Sequence, residues 1–453
     1  MKDTIILYPA MGRGHLVPMV ELGKFISTHH HNTLSIKIFL LSSPNITTKN
    51  YITAVIATTP SIKFHHLSPS QNLLTTLQSF ISQSSKPKAF ILDFFNHSAI
   101  AVTATLNIPT FCYFPNAAST VALFLYTPTI HHNTTNENTS IYNDVLRNIP
   151  GLPPLSPEDM PEPMVDRRSQ SYKSFVNMSI QMRKIDGLIV NSFEKLETKA
   201  FMALKNGVCL MEEKSPRVFC IGPLVEKSKG DNSVVDDGCL SWLNLQPSQS
   251  VVFLSFGSYG RFSKSQIKEI ALGLEKSEKR FLWVVRNPIG YERKELSFEE
   301  LLPKGFLEKT REKGKVVREW APQVEILNHD SVGAFVTHCG WNSVLEAITC
   351  GVPMVAWPLY AEQMLNRVVM VEEMNVALTL KENEDGVVKA SELEEIVREI
   401  MDLERGKKVR ESVLSFRNDA FVALGDGGSS RIHLNELIEL WRQWYYFFCF
   451  IGF

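Results

Sequence analysis

Short apolar, β-branched runs alternate along the chain with longer amphipathic stretches, the pattern of strand–helix–strand units around parallel sheets. In the first half, Thr4–Tyr8, Ser35–Leu41, Ala89–Leu92, Thr110–Phe114, Gly187–Val190 and Val218–Ile221 are predicted strands. In the second half they are Val251–Phe256, Phe281–Val285, Lys315–Arg318, Gly333–Thr337, Pro353–Trp357 and Ala377–Leu380. Each set is enough for one open sheet with helices on both faces. Between the sets, at about residues 225–237, Lys, Gly, Asp, Asn and Ser dominate and offer little to bury, which reads as an interdomain linker. The expected architecture is α/β: two doubly wound parallel-sheet domains facing each other, over residues 1–237 and 238–435. Residues 436–453 are expected to form a terminal helix or tail that packs back on the first domain.

Two loops stand out. His131–Ser140 is almost wholly polar, and Ile149–Pro163 carries six prolines among fifteen residues. Both read as surface excursions, the second also able to form part of a pocket wall. Trp444–Phe453 is an aromatic run too short for a membrane span and reads as a helix end docked on the body.

The chain of 453 residues fits two or three domains at roughly 150 residues each. Lys+Arg 47 against Asp+Glu 48 gives a net charge of −1, which argues against a general nucleic-acid or membrane-surface binder. A hydrophobic fraction of 44% argues against a disordered chain. Cys112, Cys209, Cys220, Cys239, Cys339, Cys350 and Cys449 are widely spaced, odd in number and without a Cys-x-x-Cys pair. That usage predicts reduced thiols rather than a disulfide framework or zinc site. With no long apolar leader behind Met1, the expectation is a cytoplasmic protein that holds no metal.

Candidate chemistry begins after the first strand, at Tyr8-Pro9-Ala10-Met11-Gly12-Arg13-Gly14-His15. A dinucleotide fingerprint would need a third glycine where Val17 stands. Gly12 and Gly14 then serve a tight turn into a helix over Leu16–Ile26. That places His15 at the carboxyl edge of the sheet, where open α/β folds bind ligands. Asp93 ends the run Ala89–Leu92 and puts a carboxylate on another strand end of the same sheet. Such a pair can act as base and orienter, the carboxylate fixing the tautomer and stabilising the imidazolium. The alternatives are that Asp93 caps the next helix or pairs with a lysine, and that His15 is structural.

The second half carries a denser signal. Thr337-His338 ends one strand, and Gly340 opens a helix whose first turn offers backbone N–H groups with Asn342 and Ser343, the usual chemistry of phosphate binding. Glu346, a turn further on, could accept from ribose hydroxyls. Trp320 offers a flat face for a base, and Gly257-Ser258 a loop able to approach a diphosphate. Singly, each reads equally as a cap, turn or core aromatic; together they specify a nucleotide-diphosphate site without a P-loop.

The segment Trp320–Gln323, His338–Ser343, Gly351–Pro353 and Glu362-Gln363 resembles the signature of plant family-1 UDP-glycosyltransferases, and the resemblance runs over nearly the whole chain. It implies the GT-B fold of two Rossmann-like domains and a UDP-sugar, with glucose favoured by the final Gln363, as donor co-substrate in place of a prosthetic group. Trp320 would stack on uracil, with Ala321 and Gln323 on the base edge and Glu346 on the ribose. Ser258, His338, Gly340, Asn342 and Ser343 would meet the phosphates, with Gly14 also near the donor, while Trp341, Glu362 and Gln363 would bond the sugar. His15 would be the general base and Asp93 its partner. Their separation, 93 − 15 = 78 residues, is shorter than the family leads one to expect, with the shortening in Asn45–Ser84.

The resemblance implies an inverting, metal-independent O-glucosyltransferase acting on a small aromatic acceptor, above all the 7-hydroxyl of an isoflavone or another flavonoid; a monomer is expected because the sequence shows no oligomerisation pattern. Phe94, Phe95, Phe114, Leu123, Phe124 and Tyr126 are candidate pocket lining, with core packing the more common role for such residues. Other readings are a chalcone, phenylpropanoid, terpenoid or hormone acceptor, a silent nucleotide-sugar-binding protein, and an NAD-dependent oxidoreductase. The last fails on Val17.

Overall fold

A computed structural model describes residues 2–30, 32–41, 46–67, 72–83, 86–134, 139–210, 215–226, 238–291, 294 and 296–451, with side chains excluded at 46–47, 139–141 and 444–451. Most of the expected linker, the start of the Asn45–Ser84 segment and the side chains of the aromatic run Trp444–Phe453 lie outside the described residues.

Among the described residues, seven strands form the first sheet: β1 (Asp3–Tyr8), β2 (Leu34–Leu40), β3 (Ile62–His66), β4 (Ala89–Asp93), β5 (Thr110–Phe114), β6 (Gly187–Val190) and β7 (Arg217–Cys220). Six form the second: β8 (Val251–Ser255), β9 (Arg280–Val285), β10 (Gly314–Arg318), β11 (Val332–Thr337), β12 (Met354–Ala356) and β13 (Ala377–Thr379). The orders are β3-β2-β1-β4-β5-β6-β7 and β10-β9-β8-β11-β12-β13, with every pairing parallel. Both are doubly wound, and each reverses direction once, between β1 and β4 and between β8 and β11. Ligands in such sheets collect outside the carboxyl ends of the strands flanking that reversal.

The strand β3 is absent from the sequence expectation. It carries Lys63, His65 and His66 and buries only Ile62, so it lacks the continuous apolar run of its neighbours. It is the edge strand, covered less than the fully buried β4 and β5.

The first unit comprises Met1–Pro157, Pro163–Glu226 and Ala420–Phe453; the second comprises Glu158–Glu162 and Lys227–Asp419. The segment 436–453, expected to pack back on the first domain, lies within the last part of the first unit, Ala420–Phe453. Asp159 and Met160, inside the proline-rich stretch Ile149–Pro163, are buried. The predicted polar loop His131–Ser140 is largely helix at its ends, in Ala118–Asn133 and Thr139–Arg147.

In the first unit the strand period of two sorts side chains onto the two faces of the sheet. Ile6, Tyr8, Phe90, Leu92 and Phe114 pack on one side, and Ile5, Leu7, Ile91 and Tyr113 on the other. The second face is completed by the terminal helix Ser429–Ile451, through Leu434, Leu437, Ile438 and Trp441. Ser430 Oγ donates to the Gly222 carbonyl and His433 Nδ1 to that of Cys220, seating this helix against the end of β7. No helix among the described residues is long and apolar enough to cross a membrane.

Candidate active site

At the reversal of the first sheet, the chain leaves β1 and turns at Gly12, whose φ of +106° lies where side chains are disfavoured. The Gly12 carbonyl accepts from the N–H groups of His15 and Leu16, closing the first turn of the helix Arg13–His30. This turn sets His15 beside the end of β4, and Asp93 Oδ2 stands 2.8 Å from His15 Nδ1. Asp93 Oδ1 accepts from the Phe95 N–H at 3.1 Å, capping the short helical turn Phe94–Asn96. The carboxylate therefore performs both roles left open by the sequence, cap and histidine partner. Asp93 is fully buried, while the His15 side chain is a quarter exposed. A carboxylate against Nδ1 fixes the proton there and leaves Nε2 the basic nitrogen.

The His15 ring meets Phe95 edge-on at 5.2 Å and Phe94 at 6.2 Å. Phe95 is 54% exposed, whereas Phe114, Leu123 and Phe124 are core residues. Of the expected acceptor lining, then, Phe94 and Phe95 lie at the histidine. Phe114 stacks beneath Phe94 at 5.2 Å and supports it from the core.

At the reversal of the second sheet, Gly257 follows β8 and His338 follows β11. Gly257 has φ +70°, and a Cβ there would fall 2.5 Å from His338 Nε2. The ring also lies close against Gly340, so two glycines make room for one imidazole. Burial, and secondarily the nearby Arg286 charge, push the His338 pKa down to about 4. The ring is thus neutral near pH 7, able to donate a hydrogen bond but carrying no positive charge. Its Nδ1 has no hydrogen-bond partner among the described residues.

The helix Trp341–Cys350 starts at Gly340, which has no side chain to cap it. Its first-turn N–H groups carry the positive end of the helix dipole. Trp341 is 2% exposed, so its indole belongs to the core and its backbone N–H is what it can present. Gln323 donates to Ser343 Oγ at 2.8 Å and Glu346 Oε2 at 2.6 Å, fixing the loop after β10 to this helix and keeping its own carbonyl as an acceptor. Trp320 is 45% exposed and Ser258 is exposed. Gln363 is nearly buried, its amide oxygen accepting from the N–H groups of Leu359 and Tyr360 at 2.9 and 3.0 Å. What it can still offer a sugar is a donor.

Arg286, directly after β9, escaped the sequence reading. It donates to the Gly257 carbonyl at 3.1 Å and Glu319 Oε2 at 2.9 Å, joining the loop after β8 to the one carrying Trp320. The available signal was its position at the carboxyl end of a predicted strand.

Among the described residues, seven other than glycine have positive φ, and three of them, Glu319, Cys339 and Ala361, directly precede Trp320, Gly340 and Glu362. Each such residue costs about 1–2 kcal/mol and persists only where its surroundings hold it. Glu319 is held by Arg286, Cys339 by Thr337 Oγ1 and Asn366, and Ala361 by Glu162. Strain concentrated beside the expected ligand contacts is what a preorganised site looks like.

The neutral state of His338 has a measurable consequence. An unfolded histidine titrates near 6.5, so between pH 6.5 and about 4 the unfolded chain binds the extra proton and stability falls as pH falls. The loss approaches roughly 3 kcal/mol at its limit. In chemical denaturation, His338→Gln should lose markedly less stability than the parent between pH 7 and pH 4.5. Equal acid sensitivity would show that burial of His338 does not govern it.

Paired Rossmann-like units constitute the GT-B architecture, whose chemistry is transfer of a sugar from a nucleotide. A family model described as UDP-glucoronosyl and UDP-glucosyl transferase matches residues 231–416. The chain is 72% identical to UDP-glycosyltransferase 13 of Pueraria montana var. lobata, over 98% of this chain and 100% of that one. It is 48% identical to isoflavone 7-O-glucosyltransferase 1 of Glycine max, over 98% and 100%. It is also similar to Medicago truncatula UGT71G1 complexed with UDP-glucose, with TM-score 0.83 and 32% identity, over 97% of this chain and 98% of that one. The chain belongs to the plant family-1 UDP-glycosyltransferases, and it is an enzyme whose donor is a UDP-sugar.

Proposed function

We propose that the chain transfers glucose from UDP-glucose to a phenolic hydroxyl of a flavonoid, in particular the 7-hydroxyl of an isoflavone, with inversion and without a metal ion. The observation that carries this reading is the 2.8 Å contact between His15 and the buried Asp93. His15 Nε2 takes the phenol proton as the oxygen attacks the anomeric carbon, and Asp93 stabilises the imidazolium that forms. The bond from that carbon to the UDP oxygen breaks, and the electron pair leaves with UDP. Attack from the opposite face turns an α-linked donor into a β-glucoside.

Trp320 stacks on uracil, with the Ala321 backbone and the Gln323 carbonyl on its edge, and Glu346 binds the ribose. His338, Ser258, Asn342, Ser343 and the helix start at Gly340 meet the negative charge growing on UDP, the work a metal would otherwise do. Trp341, through its N–H, and Glu362 and Gln363 receive the sugar. The acceptor class is supported by the 48% identity to a protein named an isoflavone 7-O-glucosyltransferase. Phe94 and Phe95 beside His15 suit a flat aromatic acceptor.

The test is a mass-spectrometric assay with UDP-glucose and a panel of isoflavones, other flavonoids, chalcones, simple phenols and terpenols, run with and without EDTA. The expected product is an isoflavone plus one hexose, formed equally with chelator present. Turnover confined to terpenols or simple phenols would overturn the acceptor, and loss of activity with EDTA would overturn the metal-free route.

A further inference from the structure

The segment Glu158–Glu162 belongs to the second unit although the chain on either side of it belongs to the first. Its contacts there are specific. Asp159, 8% exposed, accepts from Arg367 Nη2 at 2.5 Å. Met160 is 1% exposed. The Glu162 N–H donates to the Ala361 carbonyl at 2.9 Å, and the Ala361 N–H donates back to Glu162 Oε2 at 3.2 Å. Ala361 has φ +58°, a conformation alanine does not keep unaided, and Glu362 follows it directly. Arg367 lies on the helix Gln363–Val368, one turn beyond Gln363.

We propose that Asp159 and Glu162 are positioning residues for the donor sugar: they brace the turn bearing Glu362 and Gln363 from both ends and so set which sugar the site accepts. The inference rests on the reading of Glu362 and Gln363 as the sugar contacts. Glu162 holds the turn at its strained residue, and Asp159 holds the helix that continues it. Gln363 ties the same turn from inside through Leu359 and Tyr360, so Glu362 sits on backbone fixed on two sides. Sugars that differ in one hydroxyl configuration are told apart by small displacements, and a misplacement of about 1 Å can cost on the order of 100-fold. The two acidic residues lie outside the signature segment that begins at Trp320, so sugar choice depends on chain well removed from it in sequence.

The test compares Glu162→Ala, Glu162→Gln and Asp159→Asn with the parent by calorimetric titration of UDP, UDP-glucose and UDP-galactose. In Glu162→Ala, UDP-glucose affinity should fall about tenfold and the glucose-to-galactose preference shrink, while UDP affinity changes less than about twofold. Glu162→Gln keeps an acceptor oxygen for the Ala361 N–H and should recover most of the loss. Asp159→Asn should show the same sugar-specific defect, more weakly, and serves if Glu162→Ala does not fold. UDP and UDP-glucose weakening in step would reduce the segment to a general brace and overturn the proposal, as would no change in either. These titrations need no turnover, so failure of the catalytic reading in the acceptor assay stays distinct from failure here.

Discussion

Alanine at position 15 will lower turnover by about 10²- to 10⁴-fold, with UDP binding left within about twofold of the parent. The size follows from what is removed: a base whose Nδ1 is anchored 2.8 Å from a fully buried carboxylate. The retained binding is expected because the residues proposed to hold the uracil, ribose and phosphates, Trp320, Gln323, His338, Ser343 and Glu346 among them, belong to the second unit. Asp93→Asn should fall nearly as far. An amide can donate to Nδ1 and so drive the ring proton to Nε2, the tautomer that cannot accept from a phenol. Initial rates with saturating acceptor, set beside a UDP titration, separate the two effects. Near-normal turnover in His15→Ala would remove this residue as the base.

The second large effect concerns Gly257. Alanine there inherits φ +70° and places a Cβ 2.5 Å from His338 Nε2, with the ring held on its other side by Gly340. The backbone strain costs about 1–2 kcal/mol. The displaced imidazole adds a loss of UDP affinity on the order of 10- to 100-fold, the scale of a buried overpacking penalty. Gly305→Ala is the control, because Gly305 has φ +76° but nothing within 4 Å of the would-be Cβ. Both variants should melt a few degrees below the parent. Only Gly257→Ala should lose UDP binding in calorimetry, and equal affinity in the two would show that the closeness to His338 is immaterial.

The runs dense in Val, Ile and Phe were legible as strands because central parallel strands are buried on both faces and leave no polar positions to confuse the pattern. β3 was not, since an edge strand with Lys63 and two histidines resembles a loop. The proposed donor residues could be singled out because most of them crowd into one segment, at strand ends and helix starts. The joining of His15 to Asp93 needed the resemblance, for alternation alone does not say which strands are neighbours. Phe114 and Phe124 show the limit of reading aromatics, which look alike in sequence whether they line a pocket or fill a core. Arg286, Asp159 and Glu162 act through partners distant in sequence, and locally each is an ordinary charged residue. Ala361 is the most concealed, because nothing about alanine announces a left-handed backbone.

The terminal helix has a bearing on how the protein is made. Its Leu434, Leu437, Ile438 and Trp441 fill one face of the sheet that contains β1, far earlier in the chain. Domains usually finish in the order the ribosome emits them. Here that order is reversed: Lys227–Asp419 has left the exit tunnel before the earlier unit receives its last hydrophobic layer. A ribosome that stops short of Leu434 releases a chain with the whole of Lys227–Asp419 and a bare strip of apolar sheet in the first unit. A stop codon introduced just before that of Leu434 should therefore yield a product that aggregates or is degraded, although His15 and the residues proposed for the donor site are all encoded upstream of it.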